Sequence, residues 1–236
     1  MTEPAFLPGK QLSRLLHAEV VQPLLAKYYP RLTYSSARWG HGSEVLDFDT
    51  PMSCDHDWGP RLQIFLDDSD LHLKQNIWDT LAHQLPKTFY GYSTHWGQDV
   101  PEDPGVRHRE FKEDGPVDHR IEISSLKEYL HDYLPVNVIG KMTAQDWLVL
   151  PAQKLRSIVC GGTFHDGLNQ LIPMQEKLHW YPDDVWYYMM ASGFARIGQE
   201  EHLMGRAGHV GDEIGSAQIG AHLTRTIMLM AFWMEK

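Results

Sequence analysis

The sequence predicts an α+β protein in two parts: a small mixed β-sheet with helices over residues 1–125, and an all-helical bundle over residues 126–236. Three observations carry that expectation. Short alternating or apolar runs, bounded by glycine, proline and acidic residues, recur as far as Ser124. From Ser125 onward the apolar residues fall at helical spacing instead. A chain of 236 residues with 42% hydrophobic side chains is long and apolar enough to bury a sizeable core.

In order, Gly9 to Tyr29 places Leu12, Leu15, Leu16, Val20, Leu24 and Leu25 on one helical stripe, with a kink or break expected at Pro23. Thr33 to Gly40 reads as a short strand ending at glycine. "RLQIFLDD" (Arg61 to Asp68) reads as a strand buried on one or both faces. Leu71 to Pro86 reads as a helix, Lys87 to Thr94 as a strand, and Trp96 to Pro116 as a loop. "VDHRIEIS" alternates, with Val117, His119, Ile121 and Ile123 on one face and Asp118, Arg120 and Glu122 on the other. Four helical runs follow: "SLKEYLHDYL", "TAQDWLVLPAQKLRSIV", Asp183 to Arg206 and Gly211 to Lys236. Thr143, Asp183 and Asp212 are the expected N-caps.

The net charge of −10 argues against broad nucleic-acid or anionic-membrane binding, which needs a basic footprint. Two cysteines, Cys54 and Cys160, make neither a disulfide framework nor a cysteine zinc cluster. The N-terminus lacks the pattern of a signal peptide, and no run approaches about 20 apolar residues. A cytoplasmic protein is the expectation.

The richest chemistry lies in "GHGSEVLDFDTPMSCDHDWG", Gly40 to Gly59. A Gly42-Ser43 turn lets the backbone approach an anion, and a helix start behind it would add partial positive charge. Asp55 and Asp57 flank His56; in an extended backbone they point to one side and can chelate a divalent ion or bridge two. Glu122, between Ile121 and Ile123, reads as a partly buried carboxylate that needs a metal, a proton or a cationic partner such as Arg120. Hard oxygen ligands favour Mg²⁺ or Mn²⁺ over zinc. Asp47 and Asp49 follow Ser43 too closely to be the metal pair and read as turn residues, while His56 reads as packing or hydrogen-bonding behind the site. Arg61 would contact a phosphate or neutralise the acids.

A Gly-Ser turn, an Asp-x-Asp and a later acid between apolar residues together resemble the DNA-polymerase-β-like nucleotidyltransferase superfamily, over roughly Trp39 to Ser124. "GSEVLDFDTPMSCDHDWGPRLQIFL", "HRIEISSL", "DWLVLPAQKL", "YPDDVWYY", "RIGQEEHLMGR" and "GDEIGS" are similar to a bacterial family of unknown function, DUF4037. The resemblance implies a nucleotidyltransferase-like αβ domain followed by helices. It implies transfer of a nucleoside monophosphate from an NTP to a hydroxyl or amine acceptor, with two Mg²⁺ ions held by Asp55, Asp57 and Glu122 and terminal phosphates held at Gly42 and Ser43. Two departures stand out: His56 where an apolar residue is usual, and Trp58-Gly59-Pro60 where a strand would continue. The resemblance also implies a tail beyond Lys236, so one wall of the pocket would be either missing or supplied by a partner subunit, as in a homodimer.

In the helical part, Gln199 to Ser216 concentrates charge. It reads either as a charged helix connection or as a cleft wall, with Arg206 on phosphate or base and Glu200 or Glu201 as general base. A zinc site from Glu201, His202, His209 and His222 lacks a supporting spacing. The methionines from Met189 to Met234 read as core, and Trp39, Trp58 and Trp96 as wall packing rather than base stacking. The acidic balance favours a small-molecule acceptor over nucleic acid. A protein-nucleotidylating enzyme, a nucleotide-binding module without turnover, and a metal-dependent phosphohydrolase are the other classes admitted.

Overall fold

The computed structural model describes residues 5–54, 57–100 and 103–235, with the backbone alone for residues 100 and 103–106. The chain divides into two compact units, Met1–Lys141 with Leu150–His179, and Met142–Val149 with Trp180–Lys236. The architecture is a mixed α+β region built on a small sheet, followed by a largely helical region.

The first unit opens with α1 (Gly9–Leu16), a π-helical segment (His17–Val21) and α2 (Gln22–Tyr28). The break expected at Pro23 is this π segment: the Gln22 N–H reaches back five residues to the His17 carbonyl, just before the proline that has no N–H. The extra residue keeps the stripe in register, so Leu12, Leu16, Val21 and Leu25 are all buried despite the five-residue step in the middle.

Strands β1 (Tyr34–Arg38) and β2 (Gln63–Leu66) are buried along their whole length. Single-turn 3₁₀ helices at Ser43–Leu46 and Pro51–Cys54 lie between them. A further 3₁₀ segment, Asp68–Leu73, leads into α3 (Lys74–Gln84). The stretch read as one strand, Lys87 to Thr94, is a tight hairpin, β3 (Thr88–Phe89) and β4 (Tyr92–Ser93). Its turn residues, Tyr90 at φ 50° and Gly91 at φ 83°, have the left-handed backbone that two-residue hairpins require. The stretch read as a loop holds a second hairpin, β5 (Trp96–Val100) and β6 (Asp103–Arg109).

The alternation read at Val117 to Ser124 holds for burial: Val117, His119, Ile121 and Ile123 are buried. Only Glu122–Ser124 pairs as a strand, β7. Then come α4 (Leu126–Tyr133), α5 (Ala144–Val149), α6 (Ala152–Val159), β8 (Gly162–Asp166) and α7 (Leu171–Leu178). The run from Thr143 to Val159, read as one helix, is two, because Pro151 removes a donor and restricts Leu150.

The sheet order is β7-β2-β1-β8, with β1 antiparallel to both neighbours and β2 parallel to β7. Strand β8 corrects the expectation of an all-helical second part: "GTFHD" pairs with β1, so α4, α6, β8 and α7 stay with the first unit. One face of the sheet carries the main core, where Tyr34, Ile64 and Leu66 meet Leu12, Leu16, Ile77 and Leu81. On the other face Phe65 packs edge-on against Tyr129 of α4 at 5.4 Å, and the Tyr133 and Ser157 hydroxyls bond at 2.6 Å.

The second unit contains α5, α8 (Asp183–His209) and α9 (Glu213–Met234). Helices α8 and α9 pair antiparallel: Trp186 Nε1 donates to the Trp233 carbonyl at 2.7 Å, and Ser216 Oγ to the Met204 carbonyl at 3.0 Å. Thr143 caps α5 through the Asp146 N–H, and Asp212 caps α9 through the Gly215 N–H. Asp183 is the first helical residue rather than the cap, since Pro182 holds that position. Met190 and Met230 are buried, but Met204, Met228 and Met234 are exposed, which corrects the reading of that set as core. Among the described residues no helix is long and apolar enough to cross a membrane.

Candidate functional site

At one end of the sheet the antiparallel and parallel pairings bring together the C-terminal end of β1 and the N-terminal ends of β2 and β7. Register aligns Ala37 with Gln63 and Gln63 with Glu122. The Gln63 amide clamps this end. Its Oε1 accepts from the Trp39 N–H at 3.0 Å, and its Nε2 donates to the Trp39 carbonyl at 3.1 Å and to Glu122 Oε2 at 3.3 Å.

Beneath lies a buried ionic triad. The side chains of Arg38, Arg61 and Glu44 are 4%, 13% and 2% exposed. Arg38 Nη2 donates to Glu44 Oε1 at 2.7 Å, and Arg61 Nη2 to the same oxygen at 3.1 Å. Burial works to raise the Glu44 pKa, but the two guanidiniums and a backbone N–H outweigh it and hold the carboxyl below its usual range. Burial, helped by Arg38, pushes the Arg61 pKa down to about 10. Arg61 still carries a buried Nε–H with no partner among the described residues.

Above the triad a cleft of about 1020 Å³ is lined by Arg38, Arg61, Arg107 and Arg120 together with Asp57, Asp118 and Glu122. Asp57 sits in a bend with left-handed backbone, φ 47°, not on a strand, which corrects the extended Asp-x-Asp geometry expected there. It is fixed to β6: its N–H donates to the Arg107 carbonyl at 3.4 Å, and its Oδ1 accepts from the Arg107 N–H at 3.2 Å. The same Oδ1 also accepts from Arg120 Nη1, forming an ion pair. Arg107 pairs in turn with Asp118. The opposite wall is aromatic. Tyr129 and Tyr133 stack at 5.8 Å, His41 lies edge-on to Tyr133 at 5.1 Å, and the buried Tyr129 hydroxyl has no partner among the described residues. Burial raises the Tyr129 pKa well above the usual tyrosine range.

Of the residues singled out in the sequence, Asp57, Glu122 and Arg61 therefore meet in one cleft. Asp55 and His56 lie outside the described residues. Glu122 is exposed rather than partly buried, because the strand alternation turns its buried neighbours Ile121 and Ile123 the other way. Its expected partner Arg120 serves Asp57 instead.

Gly42 and Ser43 do not line the cleft. Gly42, at φ 130°, leaves space that the Glu44 carboxylate fills, so the glycine is required by the triad. Ser43 is exposed and begins a single 3₁₀ turn. Asp47 and Asp49 serve the fold: Asp47 pairs with Lys10 at 2.7 Å, and Asp49 Oδ2 accepts from the Gly9 N–H and from Trp58 Nε1. The strand break at Trp58-Gly59-Pro60 is present, since β2 begins only at Gln63. Trp39, Trp58 and Trp96 are all buried, and of the three Trp39 lines the cleft.

Glu201 and Arg206 are exposed on α8 in the second unit. Glu200 there faces Arg196 at 3.7 Å and His222 at 3.3 Å. The carboxylates that line the cleft from α4 are Glu128 and Asp132, which the sequence reading did not select. It also missed Arg38, Glu44 and Gln63; the available signal for Gln63 was a polar residue at the head of the apolar run "QIFL", whereas Arg38 and Glu44 stand in polar stretches that carry no such signal.

Among the described residues no group of three or more His, Cys, Asp or Glu side chains is gathered as for a metal ion. Asp57 and Glu122 nevertheless offer the hard oxygens that Mg²⁺ prefers, so the donor chemistry fits. A divalent ion at Asp57 would have to share or displace Arg120.

Residues 147–236 match the domain of unknown function DUF4037, so such a domain is present in that part of the chain. The match begins in α5 and runs through α9; the cleft residues named above precede it. No curated protein and no solved structure matches the chain.

Proposed function

We propose that the protein is a cytoplasmic, Mg²⁺-dependent nucleotidyltransferase that moves a nucleoside monophosphate from an NTP to a hydroxyl or amine of a small-molecule acceptor. The observation that carries this reading is the shared cleft of Asp57, Glu122 and the arginines Arg38, Arg61 and Arg120. Carboxylates for a divalent ion and guanidiniums for phosphate oxygens are the two sets of groups that a metal-bound triphosphate needs.

Asp57 and Glu122 would hold the ion, which when bound polarises the reacting phosphoryl group and lowers the pKa of an acceptor hydroxyl. Arg61 and Arg120 bind the terminal phosphates in the role first expected of Gly42 and Ser43. Tyr129 and Tyr133 shield one wall of the cleft from water. In the reaction the acceptor oxygen or nitrogen bonds to the α-phosphorus, the bond from that phosphorus to the bridging oxygen breaks, and pyrophosphate leaves. The acceptor proton goes to a carboxylate, for which Asp132 and Glu128 of α4 are the candidates.

The test is turnover of each NTP with Mg²⁺ and a panel of aminated and hydroxylated small molecules, with pyrophosphate release as readout. Asp57→Ala should abolish release; undiminished release in that variant overturns the assignment. The Asp57–Arg120 pair favours a second reading, a nucleotide-binding module without turnover. It is distinguished by a nucleotide-induced rise in melting temperature with no pyrophosphate.

A further inference from the structure

The charges of the cleft neutralise one another. Arg120 sits on Asp57, and two guanidiniums share the single carboxylate of Glu44, leaving one formal positive charge in excess beside the exposed Glu122. Glu122 acts electrostatically on both Arg61 and Arg120, and burial of those guanidiniums works against it. Arg61 retains an unused, buried Nε–H, a donor that a phosphate oxygen would satisfy.

We infer that Arg120 and Asp57 are mutual counter-ions that mask a cation subsite and an anion subsite, so that a divalent metal and a polyphosphate enter by exchanging partners with this pair. The cation subsite is Asp57 with Glu122, and the anion subsite is Arg61 with Arg120. With the pair closed, Asp57 already accepts from Arg120 and from the Arg107 N–H, so a metal ion alone has to compete with a guanidinium. A polyphosphate alone has to compete with a carboxylate. A metal–polyphosphate complex satisfies both groups at once, the ion taking the carboxylates and the phosphate oxygens taking the guanidiniums. Arg120 also lies over the Trp96 ring at 5.3 Å, a support that keeps the guanidinium in the cleft when Asp57 releases it. The proposal rests on the functional reading above only for the chemical class of the ligand.

The exchange predicts gains of binding, which loss of a merely structural contact would not produce. A pair closed about nine-tenths of the time weakens binding to either member about tenfold. Arg120→Gln unmasks Asp57 and should tighten binding of Mn²⁺ alone about five- to tenfold, read by the electron paramagnetic resonance signal of free Mn²⁺. Asp57→Asn unmasks Arg120 and should tighten binding of inorganic tripolyphosphate in EDTA by a similar factor, about five- to tenfold by calorimetry. Arg120→Lys, which keeps the charge but loses the fork, should give a smaller gain for Mn²⁺. Each variant is first checked for a cooperative melt; if one fails to fold, the other two test the same exchange. Unchanged or weaker binding in the folded variants overturns the inference. The two readings fail separately: the gains without pyrophosphate release leave the exchange standing and remove the transferase, and release without the gains does the reverse.

Discussion

Glu44 shows how one side chain sets the chemistry around it. A carboxylate with two guanidiniums on the same oxygen is stable only because both partners are present. Glu44→Gln leaves Arg38 and Arg61 buried, close and unpaired, and is expected to cost about 3–5 kcal/mol, measured as a lower urea midpoint. His17 is the second residue of this kind. Its Nε2 lies 3.1 Å from the Tyr34 hydroxyl in the core, and burial, with His165 nearby, pushes its pKa down to about 4. The unfolded chain therefore binds a proton that the folded chain refuses between the unfolded value of 6.5 and about pH 4. His119 is depressed in the same direction, first by burial; its Nε2–H donates to the Trp78 carbonyl while Nδ1 accepts from the Ile121 N–H, which fixes the neutral tautomer. Stability should be level above the unfolded histidine pKa and fall as pH drops below it. His17→Gln should flatten part of that slope in urea melts taken at several pH values.

At the scale of elements, α4 carries the aromatic wall of the cleft, and its start is fixed by a capping box. Ser125 Oγ accepts from the Glu128 N–H at 3.2 Å, and Glu128 Oε2 accepts from the Ser125 N–H at 3.2 Å. Ser125→Ala should lower stability by about 1 kcal/mol and the melting temperature by roughly 2–4 °C. It should also weaken ligand binding in the cleft, because Tyr129 and Tyr133 lose their fixed base. The helix formed by α1, the π segment and α2 illustrates a different rule. A proline that would break an α-helix is absorbed by one extra residue in the turn before it, and the buried stripe continues.

At the scale of the whole molecule the two units differ in how they are held. The first closes a sheet between helices on both faces, whereas α8 and α9 of the second hold each other along one seam and leave Tyr187, Tyr188, Phe194, Ile214 and Phe232 exposed. Native-state hydrogen exchange should therefore find α8 and α9 opening at a lower free energy than β1 and β2. Equal protection of both would show a single cooperative unit.

The sequence by itself determined the order of an αβ region and a helical one, β2 as a buried strand, the alternation from Val117 to Ile123, and the packing role of the three tryptophans; that β2 is buried on both faces came from the structure. These are properties of local pattern, because the repeat of apolar side chains says which face is buried wherever the chain goes. It also picked Asp57, Glu122 and Arg61, which the fold gathers in one cleft. Only the tertiary structure decided that β8 completes the sheet, that Arg120 faces Asp57 rather than Glu122, and that Gly42 makes room for Glu44 instead of lining the cleft. Strand pairing and charge pairing join residues distant in the chain, and the choice among several arginines and several acids is made by backbone geometry. The bend at Asp57, its hold on β6 and the exposed face of β7 assign those partners, and none of the three is written in the spacing of the residues themselves.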